Sequence, residues 1–154
     1  GNLIIEAINE KVSGMNYSSS RIHTDDKFEF KYGRIDIRAA MPSVSGTWAA
    51  LFMLNKDYTI VNPGAYWPSG GVIDIMEYLG EDQDDILGTA HYATDFPNNH
   101  RYNSVHYASE NGKSFNEAYY VYSIIWEENS IKWLVNNVEY HAISPSTASA
   151  NGQP

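Results

Sequence analysis

Gly71-Val72-Ile73-Asp74-Ile75-Met76-Glu77 mixes β-branched residues with two carboxylates and follows a turn-rich run from Asn62 to Gly70. Side chains alternate faces along a strand. Val72 and Asp74 therefore share one face, and Ile73 and Ile75 the other. Strict alternation would put Glu77 with the isoleucines, where a buried carboxylate is costly. One extra residue near Met76, a β-bulge, returns Glu77 to the face of Asp74. The stretch reads as a bulged strand that presents two carboxylates to one side.

Outward from it, the chain reads as short strands separated by turns, with little helix signal. Upstream, strands are expected at Asn2–Ala7, Arg21–Thr24 and Lys27–Phe30. Arg34–Met41 alternates, with Ile35, Ile37, Ala39 and Met41 on one face and Arg34, Asp36 and Arg38 on the other. That is the pattern of a half-buried strand. Trp48–Leu54 is almost wholly apolar, as for a strand covered on both faces. Downstream, strands are expected at Ile86–Tyr92, Ala118–Trp126, Ser130–Val135 and Val138–Ile143. Asp95–Asn103 reads as a polar loop. Glu128-Asn129 and Asn136-Asn137 read as turns, since Asn tolerates the left-handed backbone of tight hairpins. The tail from Ser144 to Pro154 shows no periodicity. Such a pattern predicts an all-β sandwich or barrel.

The chain has 154 residues, enough for one domain that buries roughly two thirds of its unfolded surface. Hydrophobic residues at 43% and charged residues at 19% mark it as globular. A net charge of −9 argues against nucleic acid and anionic membrane as partners and is compatible with a neutral polysaccharide. Aromatic residues reach 14%, with 12 Tyr and 4 Trp, which suits stacking on sugar rings and is also the habit of β proteins. Cysteine is absent, which excludes disulfides and thiolate metal sites. No run is apolar enough to span a membrane and no signal peptide is visible; the chain begins with Gly1-Asn2-Leu3-Ile4-Ile5, already strand-like, and so reads as a mature fragment. The acidic run Glu81-Asp82-Gln83-Asp84-Asp85 lacks the glycine and spacing of a calcium loop and reads as solvated. The five histidines show no ligand spacing, so no catalytic metal is expected. Asn16-Tyr17-Ser18 is a weak glycosylation match.

The stretch Val72–Glu77 resembles the bulged catalytic strand of glycoside hydrolase family 16, in its laminarinase-like branch, whose pattern is Glu-Ile-Asp-Ile-Met-Glu. The resemblance extends along most of the chain. Phe30–Arg38 is similar to the family's strand before the cleft. Gly46–Leu54 is similar to its Gly-x-Trp-Pro-Ala-Phe-Trp-Met-Leu, with Ala49 for proline and Phe52 for tryptophan. Tyr122–Trp126, Ser130–Trp133 and the hairpin Val135–Val138 resemble its late strands. The resemblance implies a jelly roll of the concanavalin A-like kind, two antiparallel sheets with a concave substrate cleft. It also implies that residues 1–154 form a single domain lacking its first and last strands.

The resemblance further implies retaining endo-hydrolysis of β-1,3-glucan or mixed-linkage β-glucan, without a catalytic cofactor. It makes Glu77 the general acid/base and Asp74 the assisting carboxylate. The nucleophile position holds Val72, which has no lone pair with which to attack. The chain is thus expected to bind rather than cut. Three readings of Val72 stand open: an engineered knockout, a natural loss that leaves a glucan-binding protein, or a sequence error. Substrate contacts are expected from Trp67, Arg38, His91, Trp48 and Asp36. Trp67 precedes the strand where the family keeps a sugar-stacking tryptophan, and His91 is placed to reach Asp74 or substrate. Trp126 and Trp133 are expected in the core. A structural calcium is implied by the family, with its usual ligands outside this chain. Secretion is the implied location.

Overall fold

The computed structural model describes residues 1–56, 67–93, 99–110 and 112–150. Among the described residues, ten strands and one short helix run in the order β1 (Ile8–Val12), β2 (Met15–Ser18), β3 (Gly33–Ala39), β4 (Trp48–Leu54), β5 (Val72–Leu79), β6 (Asp85–Ala93), β7 (His100–Ala108), β8 (Tyr120–Glu127), β9 (Ser130–Val135), β10 (Val138–Ile143) and α1 (Pro145–Ala150). Two four-stranded antiparallel sheets dominate, one ordered β10-β9-β8-β3 and the other β4-β5-β6-β7. A third sheet is the β1-β2 hairpin. The all-β expectation holds.

The core lies between the two large sheets. Ile75, Met76, Tyr78, Ile86 and Ala90 come from one, and Tyr122, Ile124, Trp133 and Val135 from the other. Phe115, in the connection before β8, is fully buried among them. Burial of such aliphatic and aromatic side chains is the main term that holds the sheets together. Close approach is needed at Gly88 on β6. A Cβ there would lie 2.4 Å from the Tyr140 hydroxyl and 2.7 Å from Trp133 Cδ1, so only glycine leaves room for the indole.

Local sequence explains several elements. Ile35, Ile37 and Ala39 turn inward from β3 and leave Arg34, Asp36 and Arg38 outside. Asn136 and Asn137 both have positive φ in the β9–β10 turn, as a tight hairpin requires. Trp133 is in the core and Trp126 packs on its edge.

Other expectations are corrected. No strand forms at Asn2–Ala7, Arg21–Thr24 or Lys27–Phe30. The N-terminal pairing is instead β1 with β2 across Ser13-Gly14, both of positive φ. The turn chemistry of that dipeptide outweighs the apolar run Leu3-Ile4-Ile5, which finds no partner strand among the described residues and stays exposed. β4 is covered on one face only. Ala49, Leu51 and Met53 pack on the core, while Trp48, Phe52 and Leu54 are exposed. The expected polar loop Asp95–Asn103 gives way from His100 onward to β7; its first part, like the turn-rich run up to Tyr66, lies outside the described residues. The tail carries α1. No helix among the described residues is long and apolar enough to cross a membrane.

Candidate active site

Gly71 has φ +72°, and its amide donates to Pro68 O at 3.1 Å. This turn delivers the chain into β5. Register then settles the faces. On the β4 side, Leu54 pairs with Val72, Phe52 with Asp74 and Ala50 with Glu77; Leu51 pairs with Met76, so Ile75 is the extra residue. The register with β6 breaks between Asp74 and Glu77 as well. Ile75 and Met76 are both buried in the core. The bulge thus spends two consecutive apolar residues inward and brings Glu77 back to the outward face, with Val72 and Asp74.

That face belongs to the whole β4-β5-β6-β7 sheet. Trp48, Ala50, Phe52 and Leu54 lie on it from β4. Thr89 and His91 lie on it from β6, opposite Asp74 and Val72 respectively. Tyr102 and Ser104 continue it on β7, opposite His91 and Thr89. One oxygen of Asp74, one of Glu77 and one ring nitrogen of His91 all lie within 4.8 Å of one another. Each of the three already has a hydrogen-bond partner in the chain.

Asp74 is 7% exposed. Its Oδ2 accepts from His91 Nε2 at 3.1 Å. Its backbone oxygen accepts from the Trp133 indole N–H at 2.8 Å, so the core of the opposite sheet pins the strand that carries it. Glu77 is half-buried, and its pKa is raised, first by burial and then by the charge of Asp74. His91 and hydrogen bonds from Trp48 and Thr89 oppose that rise without cancelling it. A carboxyl held above its ordinary range retains its proton at higher pH, which is what a general acid needs.

Trp67 closes one side of this group. Its ring lies 4.8 Å from that of His91 and 4.6 Å from that of His100. His91 Nδ1 is 3.0 Å from His100 Nε2. Trp48 is 71% exposed, so it is a platform on the open face and not a core residue. The cavity of about 80 Å³ lined by Tyr107, Phe115, Tyr120 and Val135 shares no residue with this face.

Of the eight residues singled out in the sequence, Val72, Asp74, Glu77, His91, Trp67 and Trp48 are gathered here. Asp36 and Arg38 are not. They sit on β3 in the other sheet, on its outer face, because Ile35 and Ile37 take the inner one. Asp36 accepts from Ser123 Oγ at 2.6 Å and from Arg34 Nε at 2.8 Å. Arg38 stacks over Tyr119, 4.2 Å from its ring centre. The expectation that this face lines the cleft is therefore corrected. Sequence reading missed His100, Tyr102 and Thr89, and it took the histidines as scattered. The signal for Tyr102 was weak: Asn103, Val105 and Tyr107 share one face and Tyr102, Ser104 and His106 the other, a pattern hidden by its polar content.

The family model for glycosyl hydrolases family 16 matches residues 3–154. The beta-glucanase of Rhodothermus marinus is 38% identical over 141 residues, covering 92% of this chain and 48% of that protein. The glucan endo-1,3-beta-glucosidase A1 of Niallia circulans is 36% identical over 162 residues, covering 98% of this chain and 23% of that protein. The catalytic domain of an endo-1,3-beta-glucanase (laminarinase) from Thermotoga petrophila RKU-1 superposes with a TM-score of 0.84 at 37% identity, over 97% of this chain and 59% of that one. The chain thus spans about half or less of the length of these two curated relatives.

Proposed function

This chain belongs to glycosyl hydrolases family 16, and we propose that its β4–β7 face is the β-1,3-glucan site of an endo-β-glucanase scaffold whose nucleophile position is filled by Val72, so that it binds glucan without cutting it. The observation that carries this reading is the shared face of Val72, Asp74 and Glu77, fixed by the bulge and by the register with β4. Laminarinase relatives favour β-1,3-glucan over other β-linked polymers as the ligand. Trp48, Trp67 and Tyr102 offer exposed aromatic faces on which pyranose rings can stack. A polymer of that size is met outside the cell, so we infer a secreted protein.

Glycoside hydrolysis with retention needs two carboxyl groups about 5–5.5 Å apart, one to attack the anomeric carbon and one to protonate the leaving oxygen. Glu77, protonated above the ordinary range, fits the second role. Val72 cannot fill the first. One oxygen of Asp74 and one of Glu77 lie within 4.8 Å of each other, and the apolar Val72 beside them is poorly suited to hold the water that an inverting pair needs. Asp74 is engaged by His91 Nε2, so its part is to hold charge beside Glu77.

Laminarin binding by the chain as it stands, measured by calorimetry against mannan as control, tests the reading. Saturable binding of laminarin alone is expected, and its absence from a folded sample would refute the reading. A second reading, a dedicated glucan-recognition protein, is favoured by the same Val72. It predicts that Val72→Glu binds and does not hydrolyse.

A further inference from the structure

His91 and His100 are on different strands, and the fold joins them in a chain of hydrogen bonds to Asp74. His91 Nε2 is 3.1 Å from Asp74 Oδ2, and His91 Nδ1 is 3.0 Å from His100 Nε2. An ionised carboxylate only accepts hydrogen bonds. The proton of a neutral His91 therefore belongs on Nε2, which leaves Nδ1 bare. The second contact then needs a donor, and His100 Nε2–H is the atom in place. With two neutral rings, this is the one arrangement that satisfies both contacts. The opposite tautomer of His91 would face Asp74 with a bare nitrogen.

We propose that His100 is a positioning residue of this site: its ring N–H holds His91 in the tautomer that donates to Asp74, and so keeps that carboxylate in place beside Glu77. Two further observations fit. Trp67 packs on both imidazoles, and Tyr102 lies 6.0 Å from His91 and 5.8 Å from His100, so aromatic rings flank the pair. Burial, its first cause, holds His100 below the usual imidazole range, which favours a neutral donor. The role parallels outer hydrogen bonds elsewhere that fix a histidine's tautomer through its second nitrogen.

Ring-nitrogen NMR on the ¹⁵N-labelled chain tests this directly, in the unsubstituted protein and in His100→Phe and His100→Gln. Phenylalanine keeps a ring against Trp67 and removes the donor; glutamine returns an N–H. In the unsubstituted chain at neutral pH, His91 should show one protonated and one bare nitrogen, with Nε2 protonated. The split should collapse towards a tautomer average in His100→Phe and persist in His100→Gln. An unchanged split in His100→Phe overturns the proposal. So does an Nδ1-protonated His91 in the unsubstituted chain, a result that needs no variant to fold. The inference deepens the proposed site, yet its readout involves neither glucan nor hydrolysis, so the two can fail separately.

Discussion

Asp36 and Asp74 both stand on strands that alternate apolar and polar residues, and both point away from the core between the sheets. Their surroundings make them different groups. Asp36 is exposed, takes hydrogen bonds from Ser123 and Arg34, and has a pKa lowered first by Ser123. Its charge is fully answered by neighbours on its own sheet. Asp74 is buried beside a second carboxylate, with one imidazole to answer both. The bulge at Ile75 makes the difference. It brings Glu77 onto the face of Asp74, where burial and then the charge of Asp74 raise the pKa of Glu77. A polar outer face on a strand is therefore not a site by itself; two carboxylates held together under partial burial are the stronger candidate.

That contrast can be broken experimentally. The largest effect is expected in a Val72→Glu background, where Glu77→Gln should reduce laminarin hydrolysis by about 10²–10⁴-fold, the usual worth of a general acid/base. Asp36→Asn in the same background should leave the rate unchanged; an equal loss would return β3 to the site.

Next comes Trp133→Ala. The indole is fully buried and donates to Asp74 O. Its loss should cost about 3–5 kcal/mol of stability, read as a lowered midpoint in denaturant. Trp133→Phe should cost less and leave the Asp74 carbonyl without its donor. Ser123→Ala, on the other sheet, should shift the midpoint at neutral pH far less than either.

A smaller effect separates the two aspartates by titration. Asp74→Asn removes the like charge that raises Glu77. The pKa of Glu77 should fall, though burial, its first cause, keeps it above the ordinary carboxylate range. Val72→Glu adds a like charge and should move it up. Carboxyl NMR titrations of the three forms check both signs; equal values would show that Glu77 does not sense its face.

The smallest effect is in acid. The folded pKa of Asp36 is depressed, so its contribution to stability is present above its unfolded value, near 3.9, and is lost as pH falls through the folded value. Ser123→Ala removes the first cause of that depression. Acid unfolding should then begin at slightly higher pH, with the neutral-pH midpoint little changed.

Much of this was legible in the sequence, and the reasons are local. The bulge follows from one argument about Glu77, because a carboxylate among buried isoleucines would be costly. The hairpin at Asn136-Asn137 follows from left-handed backbone preference, and the inward face of β3 from its isoleucines. The failures share a cause, which is dependence on a partner strand. β7 is rich in His, Arg, Asn and Ser, and it becomes a strand through pairing with β6. The apolar outer face of β4 looked like core because sequence does not say which side of a sheet is covered. Asp36 and Arg38 are expected in the cleft on the family resemblance alone, because the alternation of β3 fixes its two faces but not the sheet to which it belongs. His91 and His100 meet only because β6 and β7 pair antiparallel.

The account rests on Val72 occupying the place of the missing nucleophile. Release of reducing ends from laminarin, by the chain as it stands and by Val72→Glu, tests that claim most directly, with thermal melts of both to confirm folding. The account predicts no release from the unsubstituted chain and release from the glutamate form, raised on the order of 10³-fold or more over any background. Cutting by the valine form would contradict it and move the nucleophile to Asp74; two folded forms that both bind and neither cut would leave a glucan-recognition protein in place of a disabled hydrolase.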